Sequence, residues 1–82
     1  MTKELKVYQI EINSHEYGWG EPCRYLLIAP NKEEAWEMIL KNQVEVGYDE
    51  DVEWQIASFI VIDGKENGIK IDKKRIIDSE SP

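Results

Sequence analysis

The side chains best suited to chemistry are few, because His15 is the only histidine and Cys23 the only cysteine in 82 residues. His15 and Glu16 have the types of an acid–base pair, and with Cys23 they make three donors of the kind that hold a metal. Neighbouring residues of an extended loop point apart, however, so His15 and Glu16 do not converge on one ion. Ser14 precedes His15, but no third residue is placed to orient the imidazole as a nucleophilic triad requires. Cys23 opens an apolar run and reads as a buried, inert thiol. Gly18-Trp19-Gly20 lacks the third glycine and the following helix of a phosphate-cradling loop. The reading is therefore not an enzyme: no catalytic residue, no metal site and no cofactor is expected.

Calcium needs a separate check. Asp49, Asp51 and Glu53 alternate as an EF-hand loop begins, but Trp54 stands where that loop needs glycine and Ile60 where it needs the closing glutamate. In the stretch from Asp63 to Lys74, Lys65 and Lys74 occupy positions that need oxygen ligands. Neither segment is an EF-hand.

What remains is charge and aromatic surface. The chain has 10 basic and 17 acidic residues, a net charge of −7. Residues 30–53 hold Lys32 and Lys41 against Glu33, Glu34, Glu37, Glu45, Asp49, Glu50, Asp51 and Glu53, so nearly all of the excess lies there. A local field of this kind steers a basic partner and weakens with salt. It opposes direct contact with nucleic-acid phosphates, and Lys70, Lys73, Lys74 and Arg75 are too few to reverse that; they read as edge-strand protection. The plain alternative for the acidic stretch is a solvated helix face and loop that keeps a small protein soluble. The second segment of interest is the loop at 13–22, where Tyr17 and Trp19 are candidate anchors for a partner or lids over the core.

The elements that must position these residues follow from periodicity. Residues 4–13 alternate as a strand, with Tyr8, Ile10 and Ile12 on one face, and residues 23–29 form a second; the loop between them makes a wide hairpin. Asn31 is an N-cap with Glu34 as its partner, and a helical period follows to about Gln43 or Val44, before Gly47. Its core-facing arc is Ala35, Trp36, Ile39 and Leu40. Residues 52–62 form a third strand, and Asp63-Gly64 and Asn67-Gly68 predict that 69–71 returns as its hairpin partner. The expected fold is α+β: a small antiparallel sheet in the order β-β-α-β-β with one amphipathic helix on one face. Residues 1–77 make the single domain, and 78–82 read as a disordered tail.

One tension follows from this arrangement. In 52–62, Trp54, Ile56, Ile60 and Ile62 fall in one phase, and Ala57, Phe59 and Val61 in the other. A single helix covers one face only, so the second needs the Ile76-Ile77 segment, a second copy of the chain or a partner. With a charged N-terminus, no apolar run near the roughly 20 residues of a membrane span, and an unpaired cysteine, a cytoplasmic setting without membrane contact is expected.

The functional reading is a small acidic interaction protein that docks on a basic protein surface through Glu37, Glu45, Asp49, Glu50, Asp51 and Glu53, with Tyr17 and Trp19 as apolar anchors. Its sharper form is a nucleic-acid mimic that occupies the groove of a nuclease or another nucleic-acid-handling enzyme. In size, acidity and lack of catalytic motif the chain is similar to accessory proteins of phages and mobile elements, among them such inhibitors. Two alternatives stand beside it: a small-ligand-binding module using the loop at 13–22, and a homodimeric accessory protein with no inhibitory role.

Overall fold

The computed structural model describes residues 4–14 and 22–80. Strand β1, Lys6–Asn13, is followed by β2, Cys23–Ala29, helix α1, Lys32–Glu45, strand β3, Gln55–Ile62, and strand β4, Arg75–Glu80. The sheet order is β3-β1-β2-β4, with every neighbouring pair antiparallel. The expected α+β fold is the one found: one four-stranded sheet, one helix, and the helix packed on the sheet against β2. His15, Glu16, Tyr17 and Trp19 lie outside the described residues, as does all of the 13–22 loop except Asn13, Ser14 and Pro22.

The helix begins where the sequence predicts. Asn31 holds an extended backbone (φ −157, ψ 173), and its Oδ1 accepts from the Glu34 backbone N–H at 2.9 Å. Its amide donates in return to Glu34 Oε2 at 3.3 Å, so cap and partner fix one another. The buried stripe is Ala35, Ile39 and Gln43, one residue every turn, with Trp36 and Leu40 half-buried beside it. The core is built from Tyr8, Ile10 and Ile12 of β1 and Cys23, Tyr25, Leu27 and Ala29 of β2, closed by Ala35 and Ile39.

Strand β3 resolves part of the tension over its two apolar phases by a slip in register, while Ile60 and Val61 stay exposed. Its register against β1 slips between Glu11 and Ile12: Ser58 faces Glu11, Ile56 faces Ile12, and Ala57 is left between them. The extra residue reverses the phase. Ile56 and Phe59, assigned to opposite faces by simple alternation, therefore both pack against the helix-side core. Phe59 stacks obliquely on Tyr8 at 5.1 Å.

The chain after β3 departs from the expectation of a hairpin at 69–71. Asp63 opens a helical-type turn, its Oδ1 accepting from the Lys65 and Glu66 backbone N–H groups at 2.9 and 3.2 Å. Gly68, at φ +67, ends that turn in the left-handed region. The segment then crosses to the far edge of the sheet, where residues 75–80 pair with β2. Asp78–Glu80, read as a disordered tail, belong to this strand: Arg24 spans between Glu11 at 3.5 Å and Glu80 at 3.6 Å. Pairing with a distant strand supplies the order that the polar local sequence lacks.

The same crossing covers part of the second sheet face. A Cβ on Gly64 would lie 2.9 Å from Ile71 Cδ1 and 3.0 Å from Val7 Cγ2, so the backbone packs where no side chain fits. Val7 is buried as a result. The cover at this end is thus the 63–74 connection, and Ile76 packs instead with the helix-side core. Toward the other end this face turns polar, through the row of Glu11, Arg24 and Glu80.

Candidate functional site

The acidic residues gather where α1 ends, and the backbone there is tightly specified. Gly47 takes φ +115, its N–H donating to the Val44 carbonyl at 3.1 Å, while the Tyr48 N–H donates to the Gln43 carbonyl at 3.0 Å. This is the paired bond pattern that terminates a helix on a left-handed glycine. It turns the chain so that Tyr48 meets Trp54 edge-to-face, with ring centres 5.0 Å apart. Between those rings, the Val52 N–H donates to the Asp49 carbonyl at 3.3 Å, and Val52 is buried. Asp49, Glu50 and Asp51 therefore sit at the corner of a turn whose two sides are anchored in the fold.

All five carboxylates of this exit, Glu45, Asp49, Glu50, Asp51 and Glu53, are exposed, as is Glu37. Glu37 and Glu45 stand two helical turns apart, roughly 12 Å along the axis, with Lys41 between them on the same row. None of the six pairs with a basic side chain among the described residues. The last turn of α1 holds no basic residue, so these charges add to the negative end of the helix dipole instead of offsetting it. Sequence reasoning overlooked the apolar part of this region: Val44 is 40% exposed and Val46 57%, beside Glu45. The stripe of Ala35, Ile39 and Gln43 turns Val44 away from the sheet, whereas Val46, in phase with that stripe, is exposed at the C-cap, where the helix has ended.

Two basic residues at β4 behave differently. Lys74 Nζ lies 3.4 Å from Glu34, and Arg75 lies 3.4 Å from Asp72 and donates to the Lys70 carbonyl. They are consumed by the β4 edge.

Directly beneath the acidic exit is a buried polar set. The Tyr25 hydroxyl donates to Gln43 Oε1 and lies 2.8 Å from Asn42 Oδ1, and Gln43 Nε2 donates to Cys23 Sγ at 3.7 Å. One proton serves two carboxamide oxygens, so the set closes when Asn42 turns its amide to donate to the hydroxyl oxygen. Burial first, and then the nearby Cys23 and Tyr48, push the Tyr25 pKa above its ordinary value of 10.0. Cys23 is buried, as its position at the start of an apolar strand implied. The arrangement ties β2 to the last turn of α1 and offers no reacting group to solvent.

Among the described residues, no three His, Cys, Asp or Glu side chains converge as a metal site would need. An open groove of about 170 Å³ lies between Met38, Lys41, Asn42, Glu45 and Ile76. Ligand sites usually offer roughly 300–1,000 Å³, so this groove is small for an organic ligand. No helix among the described residues is long and apolar enough to cross a membrane. Comparison with known proteins gives no matching family model, curated protein or solved structure. The functional reading rests on the side chains themselves.

Proposed function

We propose that this chain is a non-catalytic interaction protein that offers the exit of α1 to a basic surface of a macromolecular partner. The observation that carries the reading is the combination at residues 44–53. Five exposed carboxylates, none paired with a basic side chain among the described residues, share this short segment with two exposed valines, and the turn within it is held by Val52 and the Tyr48–Trp54 contact. Interfaces pair an apolar centre with a polar rim, and charge complementarity across the rim sets encounter rate and partner choice. An anchored turn also spares a partner the entropic cost of ordering a loose loop.

The sharper form is mimicry of nucleic acid toward an enzyme that handles it, with carboxylates in place of phosphates. It is supported only by the density of negative charge on a fixed turn. Affinity capture from a cell lysate with the wild-type chain and with Asp49→Asn/Glu50→Gln/Asp51→Asn tests both forms. The docking reading expects a basic protein held by the wild type at low salt, released at high salt, and lost by the triple variant. Duplex DNA displacing that protein supports mimicry. A partner held equally by both chains, at any salt, overturns the electrostatic reading. Exposed ion pairs contribute about 0.2–1 kcal/mol each, so the triple variant is expected to bind roughly three- to a hundredfold more weakly.

A further inference from the structure

The sheet has two edges, and they are defended unequally. An edge strand presents unpaired backbone N–H and C=O groups along its length, and proteins guard such edges with charges, prolines or interrupted pairing. Strand β4 is guarded: it carries Arg75, Asp78 and Glu80, follows Lys73 and Lys74, and its register against β2 slips between Leu26 and Leu27. Strand β3, QIASFIVI, has no charged residue and no proline, in a chain in which 33% of residues are charged. Its outer positions Ile60 and Val61 are 49% and 57% exposed, and they lie on opposite faces of the sheet.

We propose that β3 is a self-association edge. Two copies pair their β3 strands antiparallel about a twofold axis through Ile60, joining two four-stranded sheets into one with both helices on the same side.

The choice of a second copy, over a foreign strand, follows from symmetry and charge. Beyond the slip at Ala57, the regular part of β3 is Ser58–Ile62, and Ile60 is its centre. A twofold there sets Ile60 against Ile60, Phe59 against Val61, and Ser58 against Ile62, so each residue meets one on its own face of the sheet. The two most exposed aliphatic side chains of the strand are buried together. At −7 per copy most approaches of two chains bring carboxylates face to face, whereas Ser58–Ile62 carries no charge of its own and has the Lys32 ammonium 5.1 Å from the Phe59 ring centre. Among the described residues only the β3 edge is unguarded, so the contact is isologous and stops at the dimer, and the charged β4 edge does not extend it into a fibre. Because the contact is a single strand wide, it falls at the small end of interface sizes, and the dimer is expected to dissociate on dilution.

The proposal is independent of the acidic docking surface, and its test keeps the two apart. Sedimentation equilibrium of the full chain, run from micromolar to millimolar concentration, is expected to move from 9.6 kDa toward twice that mass. Ile60→Lys, which sets two like charges across the twofold, is expected to weaken the dimer at least about tenfold, since like charges directly opposite destabilise a pair. Val46→Lys and the Asp49/Glu50/Asp51 triple variant are expected to leave it intact. Ile60→Cys supplies a second measurement that does not depend on how the lysine variant folds. With diamide added as the two-electron oxidant, which takes up both thiol protons, cysteines facing one another across the axis form a disulfide-linked dimer faster than in Val61→Cys, where each faces Phe59. A mass fixed at that of one chain at every concentration overturns the proposal. So does a dimer that survives Ile60→Lys, or a Val61→Cys chain that cross-links as fast as Ile60→Cys.

Discussion

The two ends of α1 obey different rules. At the N-terminus the charges agree with the backbone: Asn31 caps it, Glu33 and Glu34 lie against the positive end of the dipole, and Lys74 reaches Glu34. At the C-terminus the backbone is closed with equal care by Gly47 and Tyr48, yet the charges run against the dipole and none is paired with a basic group among the described residues. One end is arranged for folding alone. The other satisfies its backbone while keeping its side chains unneutralised, and that contrast locates the surface we assign to a partner. The buried set of Tyr25, Gln43, Asn42 and Cys23 stands at the same end, so the lack of pairing above it does not come from a poorly built helix terminus.

The largest expected effect comes from breaking what both ends share. Ile39→Ala removes the central buried side chain of the helix and should lower stability by about 2–5 kcal/mol in urea unfolding. Next is the buried polar set: Gln43→Leu leaves the Tyr25 hydroxyl with Asn42 alone and should cost about 1–3 kcal/mol. The same set predicts a pH dependence. With its pKa raised in the fold, Tyr25 holds a proton that the unfolded chain has lost. Its stabilising effect is whole below pH 10.0 and falls as pH rises beyond that value, by up to about 1.4 kcal/mol per pH unit. Alkaline unfolding of Tyr25→Phe should lack that fall. Third is Asn31→Ala, expected to cost about 1 kcal/mol by loss of the cap. Smallest is neutralisation of Asp49, Glu50 and Asp51, which stand beyond the last turn of α1 and should leave the melting temperature unchanged or slightly raised at low salt. A marked loss of stability in that variant would mean the acidic exit holds the fold together, and the contrast between the two ends would fail.

Much of the fold was legible because local chemistry and global structure agree there. Asn31 with Glu34 marked the helix start, and the alternation of Tyr8, Ile10 and Ile12 marked the inner face of β1. What was missed depends on pairing at long range. Arg75–Glu80 is polar and short, and becomes a strand only beside β2. The slip at Ala57 has no local signature, so Ile56 and Phe59 were assigned to opposite faces. Asp63-Gly64 has the composition of a hairpin turn, but the missing Cβ serves a close approach to Val7. At the candidate site the carboxylates were legible from composition alone. The exposure of Val44 was not, because it depends on polar Gln43 occupying a buried position that hydropathy assigns to an apolar residue, and that of Val46 depends on where the helix ends.

The central claim is that the exit of α1 is a localised receptor for positive charge, and amide chemical-shift mapping with a hexa-arginine peptide tests it most directly. The account predicts shifts concentrated at Val44–Glu53, abolished by the triple neutralisation and by high salt. Equal shifts at the other exposed acids, Glu4, Glu66, Asp78 and Glu80, would contradict it.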